Sequence, residues 1–440
     1  MYLNVAGQPI VVLNTTKAAA DLLDRRADKY SDRPAFIVAS DMLSGGLLLV
    51  FMPFNDLWRR MRRAAHEAMN ADATDNFYPC QVKEAIILAD GLLRYPNGWD
   101  DHIKRSATST TMTLVYDHPS ITTEENPSIT RINQFVHRLT RAALPGAHFV
   151  EFFTWMRYLP EWMAGWKRSA MDSYRRDNGF FVELFEDVKK RIADGDERPS
   201  ITANLARQGD RFGLSDNEVA WLAATDYAAG AETIAGSMAW FWLAITTHPE
   251  VQKKAQAELD EVVGHHRLPT FTDYERLPYI RAVVKESLRW QCVDPLGVPR
   301  RVMEDDFYEG YHIPKGAICI PNVWAMNRDP EMYGADAEQF NPSRHLDEKG
   351  ALKPAPVDTK EESHLTYGFG KRHIANNSMF INIATILYTM TIEGSNTSPP
   401  DITKYFNAGL VVRPTAFECV TRPRFPDVVA MLAEAKVDAL

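Results

Sequence analysis

The sequence predicts a mainly α-helical fold with a small β-rich part, and three observations carry the prediction. Ser215-Asp216-Asn217-Glu218 is a capping-box signature, and the run it opens continues without proline to His248. From Tyr78 to Gly195, Trp, Phe and Met recur at helical spacing. After Arg300 the pattern changes to short apolar runs broken by turn residues, which reads as strands. The chain divides as a single domain over 1–440, with β-rich parts near 1–55 and at 296–322 plus 405–424. The helical core is expected over 56–294 and 374–392.

In order, Gln8 to Leu13 reads as a short strand. Thr16 to Arg26 reads as a helix capped by Thr15 or Thr16, and Ser31-Asp32-Arg33-Pro34 is a turn. Asp56 to Glu67 is the most basic segment. On a helix, Trp58 and Arg62 share a face four residues apart, so an indole N–H and a guanidinium can bind one carboxylate together. The same stretch also reads as a solvated basic face, and Arg59, Arg60 and Arg63 as a patch for a membrane surface or a reductase. The aromatic cluster Phe152 to Pro160 fits core or cavity wall, and Arg198 to Gly213 is polar and loop-like.

The run from Ser215 is long enough, at roughly 45 Å, to cross a domain. It is apolar nearly all round, which argues for a buried central helix. In its middle lies Ala228-Ala229-Gly230-Ala231-Glu232-Thr233. The small residues let a bulky ligand lie against the backbone, while Glu232 and Thr233 are polar groups where burial is costly. Either they serve a purpose, or Thr233 bonds to its own helix and Glu232 finds a surface. Further on, Leu277 to Trp290 is amphipathic and carries Glu286 and Arg289 at helical spacing. Gly409 to Pro414 and Phe417 to Pro423 are expected to form a closing hairpin.

Composition removes several classes. A net charge of -9 leaves no nucleic-acid footprint. Cys80, Cys292, Cys319 and Cys419 form no C-x-x-C pair, so zinc ribbons and dithiol motifs are unsupported; they read as isolated thiols. No apolar run reaches the length of a membrane span, and Met1-Tyr2-Leu3-Asn4 is not a signal-peptide start.

The remaining motif is His364 to Asn377. Its Tyr367-Gly368-Phe369-Gly370-Lys371-Arg372 run can pass close beneath a flat ligand, because glycine places no Cβ in the way. It resembles the start of the haem loop of the cytochrome P450 monooxygenases, F-x-x-G-x-R-x-C-x-G, with Tyr367, Gly370 and Arg372 at the matching positions. Other motifs follow in the order of that family. Trp58 and Arg62 resemble its W-x-x-x-R, which binds a haem propionate. Ala229 to Thr233 resembles its oxygen-activating helix motif, and Glu286, Arg289 and Arg344 resemble its structural triad. Arg300 stands where many members place a second propionate-binding residue. The resemblance covers nearly the whole chain and is closest to the fungal microsomal type.

The resemblance implies a P450-like fold with a haem slot beside the long central helix. It also implies oxidation of a hydrophobic small molecule with O2 and electrons from an NADPH-dependent flavoprotein reductase. Haem would be held by Trp58, Arg62, Gly230, Arg300, Phe369, Gly370 and Arg372, with Thr233 and Glu232 as catalytic residues. By family the location is the cytosolic face of the endoplasmic reticulum membrane. Two departures stand out. The chain begins after the family's membrane anchor and hinge. The haem loop is also about five residues short of the pattern, its axial Cys and the following Gly among them. No residue inherits the ligand role by position. His373, the nearest donor, reads as a helix-start or surface histidine. The expectation is therefore an inactive or impaired monooxygenase. The alternative is a degenerate paralogue or mis-spliced product acting, if at all, as a binding protein.

Overall fold

The capped helix is the longest element of the structure, a computed structural model that describes all but residues 6, 70–73, 122–126, 145, 197, 369–372, 396–398, 408–409 and 440. The helices of three or more turns are α1 (Asp56–Ala68), α2 (Tyr78–Arg94), α3 (Trp99–Tyr116), α4 (Pro127–Ala142), α5 (Gly165–Ala193) and α6 (Ile201–Phe212). Then come α7 (Asp216–Thr247), α8 (Pro249–Val262), α9 (Pro278–Trp290), α10 (His373–Thr389) and α11 (Val428–Ala439). The strands are β1 (Tyr2–Val5), β2 (Gln8–Leu13), β3 (Arg300–Arg301), β4 (Asp306–Tyr308), β5 (Tyr311–Ile313), β6 (Ile318–Pro321), β7 (Met390–Gly394), β8 (Tyr405–Asn407), β9 (Val412–Pro414) and β10 (Cys419–Pro423). Among the described residues no helix is long and apolar enough to cross a membrane.

Ser215 caps α7 as its sequence requires. Its hydroxyl accepts from the Glu218 N–H, and the Glu218 carboxylate accepts from the Ser215 N–H at 2.7 Å. The helix passes through two apolar clusters. Val219 to Ala231 packs with Phe135, Phe181 and Phe185, and Ile234 to Ile245 packs with α2, α9 and α10. The seam between the clusters falls at Glu232–Thr233. This is where a polar pair interrupts the helix least.

The main sheet has the order β1-β2-β6-β3, with β2 parallel to β6 and β3 antiparallel to it. A third cluster under this sheet joins Leu13, Leu22, Tyr30 and Cys319 to Leu365 at the start of the short loop.

Several expectations need correction. The stretch expected as a polar loop contains helix α6. Ser200 caps it by accepting from the Ala203 N–H at 3.0 Å, Ile201 and Leu205 are buried, and Gly213 closes it at φ +63°. The expected closing hairpin does not form: β9 pairs with β8, and β10 pairs with β7. Within residues 1–55, paired strands stop at Leu13, and helical turns over 16–25, 27–30 and 37–42 take up much of the remainder. Helix α10 ends at Thr389 because Met390 begins the strand that β10 pairs.

Candidate functional site

In the middle of buried α7 the surface opens. Ala229 is exposed, and Ala228, Gly230, Glu232 and Thr233 are partly accessible, between turns that are almost wholly buried. Gly230 is needed for packing: a Cβ there would meet the Thr111 side chain of α3 at 3.1 Å. The Thr233 hydroxyl donates to the Ala229 carbonyl at 2.6 Å, the internal bond open to a helical threonine. Burial pushes the Tyr227 hydroxyl up, and the Glu232 carboxylate nearby adds to the push. One turn on, Gly236 lets Val293 and Val411 close in, since a Cβ would meet Val293 at 2.6 Å and Val411 at 3.2 Å.

Three arginines converge from distant parts of the chain. Asp32 forms an isolated antiparallel bridge with Arg301 and pairs with its guanidinium at 2.8 Å through Nε. The other Asp32 oxygen accepts from the Phe54 N–H at 2.9 Å, which hangs the start of α1 on the same carboxylate. Side chains alternate across such a bridge, so Arg33 and Arg300 fall on the opposite face from Asp32 and Arg301. There they meet carbonyls. Arg33 donates to the Val298 and Pro299 oxygens at 2.9 Å each, and Arg300 lies 3.5 Å from the Tyr30 oxygen. On α1, Asn55 caps the Trp58 N–H at 2.8 Å and Trp58 packs on Phe54 at 5.0 Å. Arg62 follows one turn later, and no described carboxylate lies within ion-pair distance of it. Burial, with Arg300 and Arg62 nearby, pushes the Arg33 guanidinium down to about 9, and burial with Arg62 nearby lowers that of Arg300. The structure thus brings Arg62 and Arg300 together and adds Arg33. The sequence carried only a turn signal at Arg33, because its partners lie more than 260 residues away.

Glu286, Arg289 and Arg344 form a buried network. Arg289 grips both Glu286 oxygens at 2.8 Å, and Arg344 donates to Oε1 at 3.0 Å. His345 is a fourth member, 2.9 Å from Oε2, hidden from sequence reading because it neighbours Arg344 without a motif of its own. Arg289 also donates to the Asn327 carbonyl at 2.7 Å. The Asn327 side chain in turn accepts from the Leu365 N–H at 2.8 Å and donates to Thr366 at 3.0 Å. The network therefore fixes the start of the short loop.

Phe369, Gly370 and Arg372 lie outside the described residues. On either side the flanks are tied together. Tyr367 donates to the Asn376 side chain at 2.9 Å, and Asn376 donates to Glu362 at 2.9 Å. His373 is exposed at the start of α10. All four cysteines lie elsewhere, and burial pushes the thiols of Cys80, Cys292 and Cys319 up to about 12, away from the thiolate form. Among the described residues no cluster of three His, Cys, Asp or Glu could hold a metal.

Asp294 leads from α9 toward the arginines. Burial pushes its carboxyl up to about 7, against the Gly297 and Leu296 N–H groups and Arg33. A pKa raised above the ordinary 3.8 means the folded state keeps a proton that the unfolded chain has lost. That contribution is full below the ordinary value and lost as pH rises toward 7. Asp294→Asn is expected to raise the thermal midpoint at mildly alkaline pH and leave it unchanged near pH 4, a difference that melts across the pH range would show.

The family model described as cytochrome P450 matches residues 1–419. A cytochrome P450 monooxygenase of Armillaria gallica is 56% identical over 446 residues, covering 99% of this chain and 85% of that protein. Cytochrome P450 monooxygenase 58 of Postia placenta is 45% identical over 447 residues, with the same coverage. Among solved structures, a zebra fish cytochrome P450 with progesterone has a TM-score of 0.77 at 22% identity over 96% of each chain, a likeness of fold.

Proposed function

Because the chain belongs to the cytochrome P450 family, we propose that it is a monooxygenase frame whose own oxidation of a hydrophobic small molecule is impaired by loss of the axial cysteine. The observation that carries this reading is in the sequence: no cysteine lies between Tyr367 and the end of helix α10. The alignments with the two fungal relatives run longer than the 440 residues of this chain, so each relative carries residues with no counterpart here.

The family and fold imply haem, and the residues fit part of it. Arg33, Arg62 and Arg300, with Trp58, suit its two carboxylates. Ala228 and Ala229, accessible beside Gly230, leave small-residue surface on α7 for a flat ring. Glu232 and Thr233 would hold and pass a proton at the seam of the two cores. When bound through a thiolate, haem supplies oxygen activation. The iron is the part that does not fit, since no thiolate donor stands on the loop and His373 is exposed.

By family the electrons come from a flavoprotein reductase, and the exposed Arg59 and Arg63 on α1 offer cationic surface for it. Attachment to the endoplasmic reticulum membrane is likewise proposed by family. Exposed Phe149, Phe152, Phe153, Trp155, Tyr158 and Trp162 support it as a concentrated apolar patch. Trp155→Ser combined with Trp162→Ser is expected to weaken binding to phosphatidylcholine vesicles about tenfold or more. Unchanged vesicle sedimentation would remove that support.

Haem-loaded protein given reductase and NADPH is expected to insert no oxygen into a panel of apolar small molecules, and a hydroxylated product would sink the reading. A second reading, a mis-spliced gene product, is favoured by the clean loss between otherwise matching flanks. Sequencing the transcript across the codons for Gly370 to Asn376 decides it.

A further inference from the structure

We infer that a cavity at the far end of α7 binds small aromatic amines in their protonated form, at a site separate from the opening around Thr233. The cavity lies where α7 ends, α8 begins and α9 ends, and its volume is about 550 Å³, within the range of small-molecule pockets. His248, the residue after α7, stands about 22 Å along the helix from Thr233 at the ordinary helical rise.

The walls are rings. His248, Trp290 and Phe340 pack on one another with centroids 5.3 to 6.1 Å apart, and Tyr279 forms a further wall. Trp290, Phe340 and Tyr279 are buried, so they hold fixed positions against an incoming ring.

The polar groups left over are acceptors. The Trp290 indole N–H is committed to the Glu338 carbonyl at 2.9 Å, and the Asn341 amide N–H to Asp336 at 3.0 Å. His248 Nδ1 lies 2.8 Å from the Ala244 carbonyl, which only accepts, so the proton of the neutral ring belongs on Nδ1. Nε2 is then an acceptor. Glu250 and Glu338 stand exposed at the edge of the cavity, and neither has a described cation within ion-pair distance. Arg328 is within electrostatic reach of Glu338 but spends its guanidinium on the Trp290 and Trp324 carbonyls.

The site already holds one ammonium. Lys254 Nζ sits 4.4 Å from the centre of the Tyr279 ring and donates to the Ser343 hydroxyl at 3.1 Å, with no described carboxylate in ion-pair contact. A cation over a ring face is the contact a protonated amine makes with such walls. Two carboxylates against one ammonium leave the cavity net negative, which favours a cationic ligand over an acid directed at Lys254. Because both carboxylates are exposed, the expected dissociation constant for a small amine is on the order of 0.1 mM.

The test is calorimetric titration of the full chain with three probes of similar size: 2-phenylethylamine, 2-phenylethanol and 3-phenylpropionate. The amine is expected to bind about tenfold or more tighter than the alcohol and the acid. Glu250→Gln combined with Glu338→Gln changes two exposed side chains; it should remove that preference and leave the alcohol unchanged. Lys254→Met removes the resident ammonium and should tighten the amine severalfold. Tighter binding of the acid, equal binding of all three probes, or no saturable binding would each overturn the inference. So would an amine preference that survives the double substitution, since the amine would then be held elsewhere in the molecule.

Discussion

Glu286→Ala is expected to destabilise the protein by about 3–5 kcal/mol, the cost of leaving a buried charge without its partner. Arg289 and Glu286 are both fully buried, and Arg344 and His345 also bond the same carboxylate. Removing the carboxylate strands Arg289 where water cannot reach it. The damage should spread, because Arg289 also holds Asn327, and Asn327 holds Leu365 and Thr366. Urea melts would give the size, and hydrogen exchange at 364–368 would show the local effect. The same group sets an acid limit. Burial alone would raise the Glu286 pKa, but the hydrogen bonds from Arg289 and His345 outweigh it and hold the carboxyl well below the usual range. A depressed folded pKa gives stability that is present above the unfolded value and lost as pH falls below it. Glu286→Gln should therefore lose stability at neutral pH and show a flatter decline on acidification than the natural chain.

Completing the loop is expected to have the largest functional effect. On the proposed reading, an insertion after Arg372 that supplies the family pattern x-Cys-x-Gly should give the site a thiolate donor. The arginines, the open stretch of α7 and the anchored loop start need no other change. Haem affinity should rise by at least tenfold, since an axial bond is added to contacts already present, and the ligated haem should take on a thiolate-type spectrum. Competition between hemin and metal-free protoporphyrin would measure the gain.

What could be read from the chain alone divides along physical lines. The central helix was legible because its signals are local: a capping box at Ser215, no proline before Pro249, and small residues followed by Glu232 and Thr233. The Glu286–Arg289 pair was legible for the same reason, being one helical turn apart. Helix α6 escaped because its apolar face is short, with Ile201, Ala203 and Leu205 as its buried apolar residues amid polar neighbours. The terminal hairpin was misread because β9 and β10, adjacent in sequence, pair with β8 and β7, and strand pairing is decided by packing that propensity does not encode. Arg33 illustrates the deepest limit. Its position depends on a bridge between Asp32 and Arg301, and nothing within a few residues of it marks that contact. Family resemblance supplied the arginines at 62 and 300; the fold supplied the one at 33.

The loss we propose is confined to the short loop after Tyr367. The most direct measurement is the absorption spectrum of the purified, haem-loaded chain, reduced and exposed to carbon monoxide. No Soret band is expected at the thiolate-type position; such a band from the natural chain would show that the iron keeps its thiolate donor.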